Sequence, residues 1–506
     1  MQIKLPIAPF CLELLREQHY RTFDETFTEP GTISQRTYLF PAPSRAQGEL
    51  IVAFMRKANI RAIALPLEDE TCLTLGKTYT NRGQCAPVIY LTGNLIKYLL
   101  ELRRQGISDN DILRNYGFVM LKTSGGACRL PAYEEEYRKA LKAIGLENFV
   151  VELIDIGFTK KPGPPRTGFV TDRPFYMRLF LAIMIGDILN DAERHIRPYE
   201  VNAGQTDQVM TRIKQMVGDS YQDKSDRDLA KALKKARRML ESVPVDLAQP
   251  RPKVRVIGEF YVASTEGHCT GDMFRWLESQ GAEVQVRTVT IYLLHKIWRK
   301  IWMAEKLFWA QKKRSAADWK RFLVSAVRWR LLYHSLTRKY RRYTRLLGGY
   351  AYPLPSMAAM LKLTRELYHP ALFSGEGFME IAEHIQAVRH DEADMVLSLK
   401  PFTCMPSVCS DAVQAKVEQQ ESGSVFLALE MNGDAMANSR SRILLKLSEA
   451  KEKIDAKLQG LCSRMGVSPD QLISRLRHGN LSVKKLRIHP HAQGCTFFTL
   501  IKAMDS

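Results

Sequence analysis

YGFVML at 116–121, followed by KTSGGACR at 122–129 and a helical pattern from about Pro131 to Ile144, decides how this chain folds. An apolar run of strand length, a glycine-bearing loop and an amphipathic segment form one strand–loop–helix unit. The same reading extends outward. FVVELI (149–154) follows as a second strand, and RAIALP (61–66) precedes as a short buried one. Ile51 to Ala58 reads as a helix, and so does Pro87 to Arg103, where Pro87 suits a first helical turn. Strands alternating with helices predict a parallel sheet.

PGPP (162–165) ends this pattern, and a mostly helical segment runs to about Val243. PRPK (250–253) reads as a linker. A second α/β unit opens with VRVIG (254–258) and a helix from about Gly271 to Ser279. It resumes with MVLSL (395–399), a helix from about Asp411, VFLAL (425–429) and a helix over 440–459. The predicted organisation is a first α/β lobe (1–165), a helical connecting segment (166–250), a second α/β lobe (251–439) and a C-terminal helical or mixed segment (440–506). A basic helical insertion over about 290–346 interrupts the second lobe.

The 506 residues are 45% hydrophobic and 25% charged, ordinary for a globular protein. MQIKLPIAPFCLELLREQ lacks the pattern of a signal peptide, and no apolar run reaches the roughly 18 residues of a membrane span. The best candidate, Phe175 to Leu189, carries Arg178 and Asp187. The expected location is cytoplasmic. Nine cysteines without a CxxC pair argue against a disulfide framework, a zinc ribbon or a thioredoxin-like motif. Any metal site must be assembled from distant cysteines.

The net charge of +20 is concentrated. Between Lys296 and Arg345, sixteen Lys or Arg face only Glu305 and Asp318, and five of the six tryptophans share that stretch. One reading is a solvated amphipathic hairpin whose aromatic stripe packs on the protein. The others are peripheral attachment to an anionic membrane, such as the inner membrane, and docking of an acidic redox partner or CoA phosphates. Nucleic acid is disfavoured, because no recognised binding module accompanies the charge.

Cys85, Cys128 and Cys404 occupy one kind of place, a loop that leads into a helix. Open α/β sheets bind ligands where such loops converge. Helix N-termini favour an anionic cluster and are expected to lower thiol pKa values. Gly125, Gly126 and Pro406 allow backbone amides close to a cluster. Cys11, Cys72, Cys462 and Cys495 read as packing residues. Cys269 and Cys409 are secondary candidates for a fourth ligand.

Several motifs carry a family resemblance. TLGKTYTNRGQCAPVIYLTGNL (74–95), SGGACRLPAY (124–133) and KPFTCMPS (400–407) resemble the three cysteine motifs of the 2-hydroxyacyl-CoA dehydratase and benzoyl-CoA reductase superfamily. The likeness is greatest to its acyl-CoA dehydratase activase-related proteins. IRPYEVNAGQTD (196–207), VIGEFYV (256–262) and YHPALFSGEGFME (368–380) appear in the expected order between them. Val88 and Ala127 depart from the pattern, where relatives often carry cysteine and proline. The resemblance implies two Rossmann-like lobes with a 4Fe–4S cluster on Cys85, Cys128 and Cys404, and it leaves single and double cubanes open. It also implies a dehydratase-type lyase or a low-potential reductase component that passes electrons to a CoA thioester or a partner protein. Its partners would be an ATP-dependent iron–sulfur activator protein and other subunits in a homo- or hetero-oligomer. Phosphate-binding loops of the activase ATPase domain are not found. A non-catalytic accessory or membrane-associated scaffold of the same fold is the alternative.

Among the remaining polar residues, Arg197 and Glu200 read as an interdomain salt-bridge element, with positioning of an acyl-CoA or seating of an adjoining subunit as the alternative. Glu259 and Glu376 read as loop-stabilising or proton-transfer groups. His268, His369 and His384 are acid–base candidates by residue type only.

Overall fold

The computed structural model describes residues 36–122, 128–155, 172–223, 226–369, 372, 375–421, 423–434, 436–478, 482–486 and 494–504. Cys11, the PGPP segment, Gly125, Gly126 and Ala127 lie outside them.

The first lobe runs β1 (Thr37–Phe40), α1 (Arg45–Lys57), β2 (Arg61–Ala64), α2 (Glu70–Tyr79), α3 (Ala86–Arg104), α4 (Asp109–Asn115), β3 (Tyr116–Lys122), α5 (Tyr133–Ala143) and β4 (Val150–Asp155). The connecting helices are α6 (Arg173–Ile196), α7 (Gln205–Asp223) and α8 (Asp226–Leu240). The second lobe follows with β5 (Lys253–Gly258), α9 (Met273–Ser279), β6 (Glu283–Val286), α10 (Val289–Ala310), α11 (Ala316–Leu347), α12 (Met357–Thr364), α13 (Gly377–Arg389), β7 (Met395–Pro401), α14 (Met405–Gln420) and β8 (Phe426–Met431). The chain ends with α15 (Met436–Met465), α16 (Pro469–His478) and α17 (Thr496–Met504). Residue 440 falls inside α15, whose inward stripe of Ile443, Leu447, Ala450, Ile454 and Leu458 holds it to the body as one element.

Both sheets are fully parallel, in the orders β2-β1-β3-β4 and β6-β5-β7-β8. The two lobes therefore repeat one topology. In each, the chain reverses direction across the sheet between the first and third strands, and the loops leaving those strands face the crevice where such folds bind ligands. The strands read as near-continuous apolar runs because both faces are covered. One apolar core runs from Leu95, Phe118 and Val151 of the first lobe into Val256, Leu397 and Leu429 of the second. A second core joins β1 and α1 to the connecting helices and to the inner half of the α10–α11 hairpin.

Local signals set the helix starts. Ser44 and Asp69 accept the amides of Gln47 and Cys72, capping α1 and α2. Glu200 accepts the amides of Gly204 and Thr206, each at 2.7 Å, so it fixes the entry to α7. Arg197 reaches across to Glu278 on α9 at 2.8 Å and to Asp207 at 2.9 Å, an ion pair between the connecting segment and the second lobe.

Burial sets the pH response of this framework. Removal from water pushes Asp187 up to about 6, Glu68 to about 7 and Asp191 to about 8. These groups hold a proton in the fold that the unfolded chain releases near pH ~4, so their contribution is lost as pH rises through those values. Despite their burial, Glu193 and Glu380 are held below the ordinary range by the cations Lys214 and Lys400, and their contribution is lost on acidification. The melting temperature is therefore expected to peak near pH ~5 and to fall up to pH ~8. A thermal melt series that rises steadily across that window would contradict this account.

Candidate functional site

The three cysteine loops meet at one carbonyl. Gly83, two residues before Cys85, has φ +76° and turns its C=O toward both other loops. Arg129, beside Cys128, donates to that oxygen through its guanidinium, and the Thr403 hydroxyl, beside Cys404, donates to it at 3.3 Å. Thr403 is itself held at φ +64°, a left-handed conformation that a β-branched residue adopts only when its surroundings impose it.

Each thiol stands at the start of a helical segment. Cys85 is the N-cap of α3 and Cys404 the N-cap of α14, with a proline in each first turn and no side-chain cap. The Leu130 amide donates to Cys128 at 3.4 Å. The Cys85 thiol also meets the Tyr133 hydroxyl at 3.0 Å. Cys85 is buried, and Cys128 and Cys404 are half-buried.

The expectation of lowered thiol pKa values does not hold for the protein without metal. Burial raises Cys85, pushes Cys128 up to about 11 and pushes Cys404 up to about 12. The Leu130 amide acts in the opposite direction at Cys128 but is outweighed, and the nearby Glu259 carboxyl adds to the rise at Cys128 and Cys404. Desolvation overrides the half-charge of a helix end.

Glu259 follows β5 and sits where all three thiols feel its charge. Its amide donates to the Leu399 carbonyl at 3.0 Å, and its carboxylate accepts the Val262 amide at 3.1 Å. The preceding residue must be glycine: at Gly258, φ +123°, a Cβ would lie 2.0 Å from the Leu399 oxygen. Burial pushes Glu259 up to about 7. Glu376, the N-cap of α13, is buried in the same region, with Lys296 and Arg287 as neighbouring cations.

The histidine candidates separate from this centre. His384 bonds Gln414 at 2.6 Å and Ser424 at 2.8 Å and stacks on Phe426, a packing role. His268 meets the Tyr90 hydroxyl at 2.7 Å. His369 is exposed. Cys72, Cys462 and Cys495 pack in apolar clusters, Cys269 is wholly buried and Cys409 is exposed. Gly83, Arg129, Tyr133 and Thr403 all lie within the three quoted cysteine motifs, but their spacing does not show that they tie the loops together.

Among the described residues, no three His, Cys, Asp or Glu side chains crowd close enough to hold a single metal ion. A cubane makes a different demand, because its thiolates bind different irons around a core. Three thiols on loops tied at the Gly83 carbonyl, with the Leu130 amide on Cys128 and the Tyr133 hydroxyl beside Cys85, are compatible with that demand.

No family model and no curated protein matches the chain.

Proposed function

We propose that this chain is an iron–sulfur redox protein resembling 2-hydroxyacyl-CoA dehydratase subunits, with Cys85, Cys128 and Cys404 as thiolate ligands of one 4Fe–4S cluster. The observation that supports this most is the junction at the Gly83 carbonyl, which ties the Cys128 and Cys404 loops to the Cys85 loop. Iron would displace the thiol protons that burial retains, so loading is coupled to proton release. A bound cubane would supply one-electron chemistry at low potential. The chain's own part is to exclude water around Cys85, to aim the Leu130 amide at Cys128 and to hold the Glu259 carboxyl near the thiols. The acceptor is proposed to be a CoA thioester or a partner protein, and the donor an ATP-dependent iron–sulfur activator. Anaerobic purification with iron and acid-labile sulfide counted per chain tests this reading. A wild-type protein that binds neither would end it.

We also propose peripheral attachment to an anionic membrane through the hairpin. No helix among the described residues is long and apolar enough to cross a membrane. The inner half of the hairpin packs on the body through Leu336, Tyr340 and Tyr343, with Trp298 5.6 Å from Phe378. The outer half does not: Leu307, Trp309, Leu323, Val324 and Leu331 are each more than half exposed, among Lys312, Lys313, Arg314, Lys320 and Arg321. Tryptophan and leucine rimmed by cations match a headgroup interface, where each cation contributes about 1 kcal/mol. The protein is expected to float with anionic vesicles at low salt, less at high salt, and not with neutral ones. Trp309→Glu with Leu323→Glu should abolish flotation. Equal behaviour of wild type and double variant would rule out this surface.

A further inference from the structure

The exposed face of α11 carries one stripe whose chemistry changes from end to end. Val324, Val327, Leu331, Ser335, Arg338 and Arg342 recur at three- and four-residue spacing, so they share a side of the helix. The stripe is about 27 Å long at ~1.5 Å per residue. A different side, with Ala326, Leu336, Tyr340 and Tyr343, is buried. The helix is held there, and the stripe is left over.

Two adjoining grooves follow the stripe. The first, of about 580 Å³, lies between α11 and the start of α6, where Met177 joins Val324, Val327 and Leu331 as its apolar lining, together with Arg173 and Arg328. The second, of about 540 Å³, is lined by His334, Arg338, Lys339 and Arg342. Leu331 and Ser335 line both, so the two are continuous. Val324, Val327 and Leu331 are 63%, 49% and 65% exposed. Arg342 pairs with Asp226, whereas Arg338 is exposed and makes no ion pair among the described residues. These cations belong to a stretch with sixteen Lys or Arg against two acids, so a second copy of the same face would be repelled. An acidic amphipathic helix from another protein would match an apolar stripe edged by cations along its whole length. Here the apolar and cationic lengths lie end to end instead. That is the order of an acyl chain and its anionic head.

We infer that this groove binds one anionic phospholipid, with an acyl chain along Val324, Val327 and Leu331 and the phosphate head at Arg338 and Lys339. The aliphatic stems of the cations cover the chain near its head, and their charged ends meet the phosphate in charge-assisted hydrogen bonds. The inference rests on the reading of the hairpin as a membrane-facing element, with which the groove shares Val324 and Leu331, and it narrows that surface to a site for a single lipid.

The test titrates the full chain with decanoyl lysophosphatidate, kept below its micellar concentration, by isothermal titration calorimetry. Saturation at one lipid per chain is expected, with the zwitterionic decanoyl lysophosphatidylcholine binding roughly tenfold more weakly. Arg338→Glu with Lys339→Glu should weaken lysophosphatidate by roughly tenfold or more, and Val327→Gln with Leu331→Gln should weaken both lipids alike. All four positions lie on the surface stripe or beside it, and circular dichroism checks that each variant is folded. Trp309→Glu with Leu323→Glu, which do not line the groove, should lose vesicle flotation and keep lysophosphatidate binding. A wild type that floats with anionic vesicles but takes up no lysophosphatidate overturns the site and leaves the membrane face standing. A wild type that does neither overturns both. Equal affinity for the two lipids, or a dimer that Leu331→Gln dissolves, also overturns the site, the latter in favour of contact between copies.

Discussion

Cys85→Ala, Cys128→Ala and Cys404→Ala are each expected to leave anaerobically purified protein without its cluster, with iron falling from about four per chain toward zero. Each removes one of three thiolates that no neighbouring cysteine can replace, since Cys269 is locked in the core and Cys409 lies on the outer face of α14. The loss should be almost complete for each, because two thiolates cannot retain a cubane against solvent. The fold should survive. Cys85 contributes one sulfur to a large shared core, and its removal costs on the order of 1 kcal/mol. Cys128 and Cys404 are half-buried and should cost less. Cys462→Ala, in the separate C-terminal cluster, is the control that should keep both iron and fold. Unchanged visible absorption in the three site variants would remove the basis for the redox reading.

The strands that carry the site were legible because each is a run of apolar residues bounded by a glycine or proline loop. YGFVML and MVLSL fall within β3 and β7, and the lobes they build appear as read. Two strands escape the sequence reading for a physical reason. β1 and β6 are four residues long, and β6 begins with Glu283, a buried charge held by partners distant in sequence, Lys253 at 3.3 Å among them. A pairing of that kind leaves no local trace. The sequence pattern starts the helix after Cys404 at about Asp411, whereas it begins at Met405, because Pro406 fits a first turn and the polar residues that follow hide the amphipathic pattern. Cys404 is consequently a cap rather than a loop residue. The convergence of the three loops was less legible still. It depends on contacts to Gly83 from residues 46 and 320 positions away, and on the left-handed Thr403, neither of which follows from spacing.

Glu283→Ala is expected to be the most destabilising single change in the framework, by about 3–5 kcal/mol. The carboxylate is fully buried and joins five parts of the chain. It accepts Tyr199 at 2.9 Å, Tyr352 at 3.0 Å and Thr496 at 2.6 Å, with Lys253 Nζ at 3.3 Å and His195 Nδ1 at 3.2 Å. Despite its burial, Lys253 and His195 hold the group well below the ordinary carboxylate range. Removing it strands the Lys253 ammonium, 2% exposed, and leaves three hydroxyls without an acceptor. Glu283→Gln keeps an acceptor for the hydroxyls but not the charge opposite Lys253, so it should lose less than alanine and more than nothing. Asp434→Ala, which breaks the exposed pair with Lys77, should cost under about 1 kcal/mol. Urea unfolding should rank the three in that order. With total stability of roughly 5–15 kcal/mol, the alanine variant would sit at the edge of folding and should yield little soluble protein. If instead it unfolds at the wild-type midpoint, the Glu283 cluster does not hold the connecting helices and the C-terminal helix to the second lobe. The second lobe would then keep its Cys404 loop in place by the shared apolar core alone.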